Sequence, residues 1–372
     1  MKIKVLFLLP LLALLQGCIN CGSGTVDIDG KDHYKVTYIG DIHYDGQQYH
    51  IEPLSERAAK LHYTQWQGTS QKVLAAAGKQ SSDVPFVVQL GDMINGDCDN
   101  AELQGAALRD AFAEIKRHFP GKKLLSLAGN HDHRGRSDAS QAPDKYLIPL
   151  LKKELGKEVK MTGTNYAVRY GKDLYIFYDY RKKESGDLVK KVLADSSDAR
   201  HIFFLSHLPM FPCTIGNPGW VVPQFKELIP LLAEKKAVIV CGHIHSMSHI
   251  VYKSRTGFLP QITVTSMGRE WLKGIPAKTR YNCYDAWYKN IKPHYFTTPR
   301  YKWSIENLKY FRNGDFSSYN VGFLEPSGFV QIEVNGNDVY AHIFSDDSGK
   351  PAKSIILKKN NKTVASCEKG VW

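Results

Sequence analysis

The stretch Ala128-Gly129-Asn130-His131-Asp132-His133-Arg134 limits what this chain can fold into more than any other. It ends an apolar run from Leu124 to Ala128 that reads as a buried strand. Gly129 breaks the strand, so an amide, an imidazole and a carboxylate gather at its C-terminal end. In open α/β sheets that edge is where ligands bind. Four more blocks repeat the pattern: Asp41-Ile42-His43 after Tyr34–Ile39, Gly91-Asp92 after Pro85–Leu90, Ser206-His207 after His201–Leu205, and Gly242-His243-Ile244-His245 after Ala237–Cys241. A lone His-x-His is more often two loop histidines than a site. Five polar blocks, each closing an apolar strand, make coincidence a poor explanation.

The 372 residues, 43% of them hydrophobic, suffice for one large α/β domain or two small ones. Helical signals fall at Ser55–Leu61, Ser70–Ala77, Ala101–Phe119 (ended by Pro120-Gly121) and Asp144–Leu155. Asn165–Asp179 reads as two strands joined at Gly171-Lys172-Asp173. Gln261–Val264 reads as another, and Phe329–Phe344 as a hairpin turning at Asn335-Gly336-Asn337-Asp338. Strands alternating with helices predict an α/β architecture over 34–346, followed by a C-terminal extension, 347–372. Residues 271–323 break the rhythm. They hold fourteen of the chain's 42 aromatic residues and read as an irregular cap over the sheet edge. Such rings either pack a core or form a wall against a planar part of a substrate.

The first eighteen residues read as a targeting signal. Lys2 and Lys4 precede an apolar run, Val5 to Leu15, that is too short to span a bilayer as a helix. It ends in Leu14-Leu15-Gln16-Gly17-Cys18, which resembles the bacterial lipoprotein signal. That resemblance implies lipidation of Cys18, a tether over 19–33, and an exported protein held at a membrane on its periplasmic or cell-surface side. Each buried methylene of such an anchor adds about 0.8 kcal/mol. The net charge of +12 is scattered along the chain, so it reads first as a solvated surface and second as attraction for anionic substrates or lipids. No specific nucleic-acid partner is indicated. Among the seven cysteines, Cys98 and Cys213 each follow a polar block, so a bridge between them around one cleft is a candidate.

Asp41, His43, Asp92, Asn130, His207, His243 and His245 supply carboxylate, imidazole and amide donors. That mixture suits Mn, Fe or Zn better than an all-oxygen Mg or Ca cage. In an extended segment residues i and i+2 point to one side, so Asp41/His43 and His243/His245 can each act as a pair.

Asp-x-His, Gly-Asp, Gly-Asn-His-Asp, His and Gly-His-x-His in this order resemble the calcineurin-like metallophosphoesterase superfamily, from about Tyr34 to Phe344. The resemblance implies a four-layer α/β/β/α sandwich with two divalent metals at the strand ends. It assigns Asp41, His43 and His245 to one metal and Asn130, His207 and His243 to the other, with Asp92 bridging both. His131 then faces the substrate phosphate as a catalytic group beside Asp92. Such a metal pair, roughly 3.5–4 Å apart, clamps phosphoryl oxygens and activates a shared water as the attacking hydroxide.

Departures from the family pattern narrow the substrate. Gly91-Asp92-Met93-Ile94-Asn95-Gly96-Asp97 stands where protein phosphatases of the superfamily carry Gly-Asp-x-Val-Asp-Arg-Gly. Asn95 and Gly96 therefore replace the acid that orients the histidine and the arginine that holds phosphate, which argues against phosphoprotein substrates. Asp97 or Asp132 is left to orient His131, and Arg134, Arg269 and His133 are candidate substrate contacts. His249, another histidine near a block, reads as a supporting residue. The expected partner is a small phosphate mono- or diester. The stretch Gln89–Gly96 is also similar to ADP-ribose/CDP-alcohol diphosphatases, which makes nucleotide diphosphates the alternative. A third reading, from another class, is a lipoprotein that binds envelope polymers without catalysis.

Overall fold

The strand runs are apolar at successive positions because both of their faces are buried, as in sheets covered on each side. A computed structural model of the chain describes residues 25–46, 49, 66–156, 159, 161–214, 218–267, 281–298, 302–322, 327–345 and 348–365. The expected lipoprotein signal with Cys18, the helical signal at 55–61, and Arg269 lie outside the described residues. Among the described residues no helix is long and apolar enough to cross a membrane.

The elements run β1 (Thr25–Ile28), β2 (His33–Ile39), α1 (Gln71–Lys79), β3 (Phe86–Gln89), α2 (Ala101–His118), β4 (Lys123–Ser126), α3 (Ile148–Leu155), β5 (Tyr166–Tyr170) and β6 (Asp173–Tyr178). Then come α4 (Ser185–Asp195), β7 (His201–Ser206), α5 (Phe225–Glu234), β8 (Val238–Cys241), β9 (Ser248–Lys253) and β10 (Phe258–Thr263). The chain closes with α6 (Tyr284–Lys289), α7 (His294–Thr297), α8 (Lys302–Arg312), β11 (Asp315–Val321), β12 (Phe329–Asn335), β13 (Asp338–Phe344), β14 (Lys353–Lys359) and β15 (Lys362–Thr363).

Two sheets result. One has the order β1-β5-β6-β7-β8-β10-β9-β11 and the other β15-β14-β13-β12-β2-β3-β4. Strand alternation divides the core. Tyr175 and Phe177 of β6, Phe203 and Leu205 of β7, and Val238 and Val240 of β8 pack inward with Val36, Tyr38, Val87 and Leu125 of the second sheet. Leu174, Ile176, Ile202, Phe204 and Ile239 face outward against Val189 and Val192 of α4 and Leu228 and Leu232 of α5. Helices α1 to α3 join the first core through Leu74, Leu108 and Leu151, which completes a helix/sheet/sheet/helix sandwich. The parallel strands β2-β3-β4 and β6-β7-β8 all deliver their C-terminal ends to one edge.

Three expectations about the margins change. Residues 25–28, placed in a tether, form β1 and pair with β5. The C-terminal extension supplies β14 and β15, because Ile355 and Leu357 bury against the second sheet. The described part of the aromatic-rich segment is regular rather than irregular, with three helices and the edge strand β11. Tyr284, Trp287, Phe311 and Tyr319 there are buried with Phe211, so these rings pack a core. The helices on either side of Pro293, six and four residues long, are too short to show periodicity.

Candidate metal centre

Each polar block begins where a strand of that edge stops. Leu90 continues β3 by donating its N–H to Ile39 O (2.9 Å), and the chain then turns at Gly91 and Asp92. Gln89 secures this turn: its Nε2 donates to Gly91 O (2.6 Å) and its Oε1 accepts from Gly91 N (3.0 Å) and from Ser126 Oγ (2.6 Å). Gly129 passes so close to Asp92 that a Cβ there would collide with its carboxylate. A glycine is therefore required for close approach, and not only for a turn.

The paired ligands come together by a route the strand pattern does not show. Asp41, His43, Asp92, His243 and His245 all have positive φ, from 39° to 72°. This left-handed region costs a non-glycine residue energy, of order 1–3 kcal/mol each. The i, i+2 pairs therefore sit on tight turns and not on extended chain. Buried hydrogen bonds hold them there: Asp41 N–H to Gly91 O (3.2 Å), His43 N–H to Asp92 O (3.1 Å), and His243 N–H to Asp41 Oδ2 (2.9 Å).

All seven expected ligand residues converge. Donor atoms of Asp41, His43, Asp92 and His245 form one cluster, and those of Asp92, His207 and His243 a second; within each cluster they lie within 4.8 Å of one another. Asp92 belongs to both. Its Oδ2 is 4.0 Å from His43 Nε2 and 3.3 Å from His207 Nε2, while its Oδ1 accepts the His131 N–H (2.8 Å). Asn130 Oδ1 is 3.0 Å from His207 Nε2 and joins the second cluster. His207 Nδ1–H donates to Leu90 O (2.9 Å), leaving Nε2 turned toward the cluster, which is how ligand imidazoles are usually oriented. The donors fit two cations. Nitrogen atoms meet at 3.3 Å (His43 and His245) and at 3.2 Å (His207 and His243), beside two carboxylates that are essentially fully buried.

The electrostatics of the bare donors point the same way. Burial, reinforced by the Asp92 charge, raises the Asp41 carboxyl to about 8 against the pull of His207. Burial would also raise Asp92, but His207, His131 and His43 outweigh it and hold it well below the usual carboxylate range. Burial opposes charge on His207, yet Asp92 and Asp41 lift it to about 9. Buried negative charge here calls for positive charge close by.

His131 stands beside this pair, its ring 4.6 Å from that of His43. Neither Asp97 nor Asp132 orients it. Its Nδ1–H donates to the Asn95 main-chain carbonyl (2.9 Å), while the Asn95 side chain donates to His43 O (3.2 Å). Asp132 is committed elsewhere, accepting from Gly129 N (2.8 Å) and Ile94 N (3.1 Å). Asp97 is ion-paired with Arg134, whose Nη1 lies 3.2 Å from His131 Nε2. Arg134 thus reaches the site, bound to the histidine. His133 does not: it is buried and donates Nδ1–H to Ser140 O (2.8 Å), tying its short helical turn to the following one, Ala139–Gln141. His249 is a core residue of β9, paired with Ile262 and Asn320. Cys98 and Cys213 are both free and buried, so the expected bridge between them is absent; Cys98 pairs with the Gly135 strip, and Cys213 lies against Gln261.

Two aromatic residues at the site escaped the sequence reading. The Trp220 ring lies 4.7 Å from that of His243, tilted by 33°. The Tyr180 hydroxyl is raised by burial and then by the Asp92 charge, which places it within that carboxylate's field. Pro218-Gly219 before Trp220 was the available signal: a turn that presents an indole.

The family model described as calcineurin-like phosphoesterase matches residues 34–247, the span that holds every block. A dimetal phosphatase from Danio rerio has a similar structure, with 13% identity and a TM-score of 0.52, covering 87% of this chain and 98% of that one. PhoD is also similar, with 10% identity and a TM-score of 0.51, covering 93% of this chain and 75% of that one. At these identities the likeness is one of fold. No curated protein matches the chain in sequence.

Proposed function

The chain belongs to the calcineurin-like phosphoesterase family, and from that premise we propose a two-metal hydrolase of small phosphate mono- or diesters. Asp41, His43 and His245 would hold one cation and Asn130, His207 and His243 the other, and Asp92 belongs to both donor groups. The observation that carries this reading is the division of labour on Asp92: Oδ1 is tied to the His131 N–H and Oδ2 faces both histidine groups. Mn, Fe and Zn fit the mixed nitrogen and oxygen donors.

When bound, the two cations would acidify a shared water and offset charge on the phosphoryl oxygens. The chain's own residues handle the leaving group. Donation from Nδ1 to Asn95 O fixes the His131 ring and leaves Nε2 as its reactive nitrogen. As water attacks phosphorus and the ester P–O bond breaks, Nε2 takes up the proton that the water gives up, and the imidazolium so formed, with Nδ1 still donating to Asn95 O, passes it to the departing oxygen. Arg134, held by Asp97 at that nitrogen, supplies the positive charge that Gly96 lacks. The site needs no covalent enzyme intermediate.

The test is metal analysis of the purified protein with p-nitrophenyl phosphate and bis(p-nitrophenyl) phosphate assays. Two bound cations with turnover of either ester support the reading. A protein that neither binds Mn, Fe or Zn nor gains turnover on their addition overturns it. Adding nucleotide diphosphates to the panel decides between ester and diphosphate substrates. Export and anchoring through Cys18 belong to the same proposal, supported by Lys2, Lys4 and the apolar run before Leu14–Cys18. Labelled palmitate should enter the parent and not Cys18→Ser; equal labelling of both, or of neither, overturns the anchor.

A further inference from the structure

We propose that Trp220 is a stacking platform that selects phosphate esters with a flat aromatic leaving group, an assignment that deepens the phosphoesterase reading and rests on it. The indole is partly exposed and lies beside His243, whose ring in turn meets that of His207 4.9 Å away. It is therefore about one residue's width from the second donor cluster, within reach of a group esterified to a phosphate held there.

The segment that carries it is fixed at both ends. On one side Gly219 O accepts from Asn307 Nδ2 of α8 (3.0 Å), and Gly219 packs so tightly that a Cβ would collide with buried Ser304. On the other, Val222 N–H donates to Pro209 O (2.9 Å), in the loop that follows His207, and Val221 and Val222 are both buried. The two anchors hold the indole in place before any ligand arrives, which lowers the ordering cost of binding. Covering an imidazole needs only an aliphatic side chain. A rigid, partly solvated indole adds a broad π surface, on which flat rings stack with little regard to their substituents.

The protein loaded with Mn or Zn is assayed on phenyl phosphate and cyclohexyl phosphate, two esters with leaving groups of similar size and different flatness. The aryl-to-cyclohexyl ratio of kcat/KM, taken relative to the parent, cancels their intrinsic reactivity. Trp220→Leu should lower this ratio about tenfold, mainly through KM for the aryl ester. Trp220→Tyr should keep it within about threefold, because a flat ring remains. Asn307→Ala, which frees one anchor, should lower it by a smaller factor and serves in place of Trp220→Leu if that variant does not fold. An unchanged ratio in these variants, even with both rates reduced, assigns Trp220 to packing on His243 and overturns the platform. A parent that hydrolyses neither monoester overturns the platform; the phosphoesterase reading falls with it only if bis(p-nitrophenyl) phosphate is left intact as well.

Discussion

Strand β7 begins at one buried histidine and leads directly into another, and their surroundings push them in opposite directions. His201 and His207 are both fully buried, six residues and therefore about 20 Å apart along the strand. Burial lowers His201 to about 4, helped by Lys358 and Arg200. His207 is lifted to about 9 by Asp92 and Asp41 against the same burial. At the His201 end, charges satisfy one another: Arg200 donates to both Asp173 oxygens (3.0 and 2.6 Å), and Tyr34 donates to Oδ2 (2.8 Å). At the His207 end, carboxylates and imidazoles crowd together on left-handed backbone. One end is closed by the protein's own charges, and the other is built for charge that the protein does not carry.

The largest effects should therefore come from the His207 end. Asp92→Ala removes the shared oxygen and should cut kcat/KM about 1,000-fold or more, with a loss of bound metal measurable by elemental analysis. A variant that keeps both cations and turns over within tenfold of the parent would break the contrast. His131→Ala should lower kcat by about 100- to 10,000-fold while metal content stays near that of the parent, since this ring donates a proton and holds no cation. Joint loss of metal and rate would make it a ligand instead.

The contrast also shows what the residue order could carry. Strand ends were legible because buried strands are apolar on both faces and stop at polar blocks, so all seven expected ligand residues lie at one edge. The left-handed turns at Asp41 and His243 were not legible, since Asp and His adopt positive φ more often than most residues but still too rarely for one position to announce it. His131 takes its orientation from the Asn95 main chain, and any side chain at 95 would offer the same carbonyl. Trp220 owes its position to Ser304 and Asn307, more than eighty residues away. At the opposite end, β14 went unread because it joins the sheet near its margin, between β13 and the two-residue β15, and with it went Lys358.

Lys358 is the test of that self-satisfied end. It is fully buried, 3.5 Å from His201 Nδ1, and burial lowers its amine to about 7 despite the pull of Asp173. Its unfolded value is near 10.4, so between pH 7 and 10 the unfolded chain binds the extra proton and the folded protein gains stability as pH rises. From pH 7 to 9 that gain is about 2–3 kcal/mol in denaturant unfolding, and Lys358→Met should remove it and stabilise the protein at pH 6. For His201 the depressed value acts below 6.5: stability falls as pH drops toward 4, by about 2–3 kcal/mol. A flat profile in the parent would mean that the two groups are wetter than their packing indicates.

The smallest expected effect sits two residues from one of the largest. His133 shares the Asn130–Arg134 stretch with His131, yet its ring is engaged with Ser140 O and ties its turn to the next one. His133→Asn keeps a donor near that carbonyl, so kcat/KM should fall by less than about threefold, with a stability loss of order 1 kcal/mol for the poorer fit. A drop approaching that of His131→Ala, with stability and metal content preserved, would return His133 to the substrate. The open end of the sandwich would then be wider than its geometry implies.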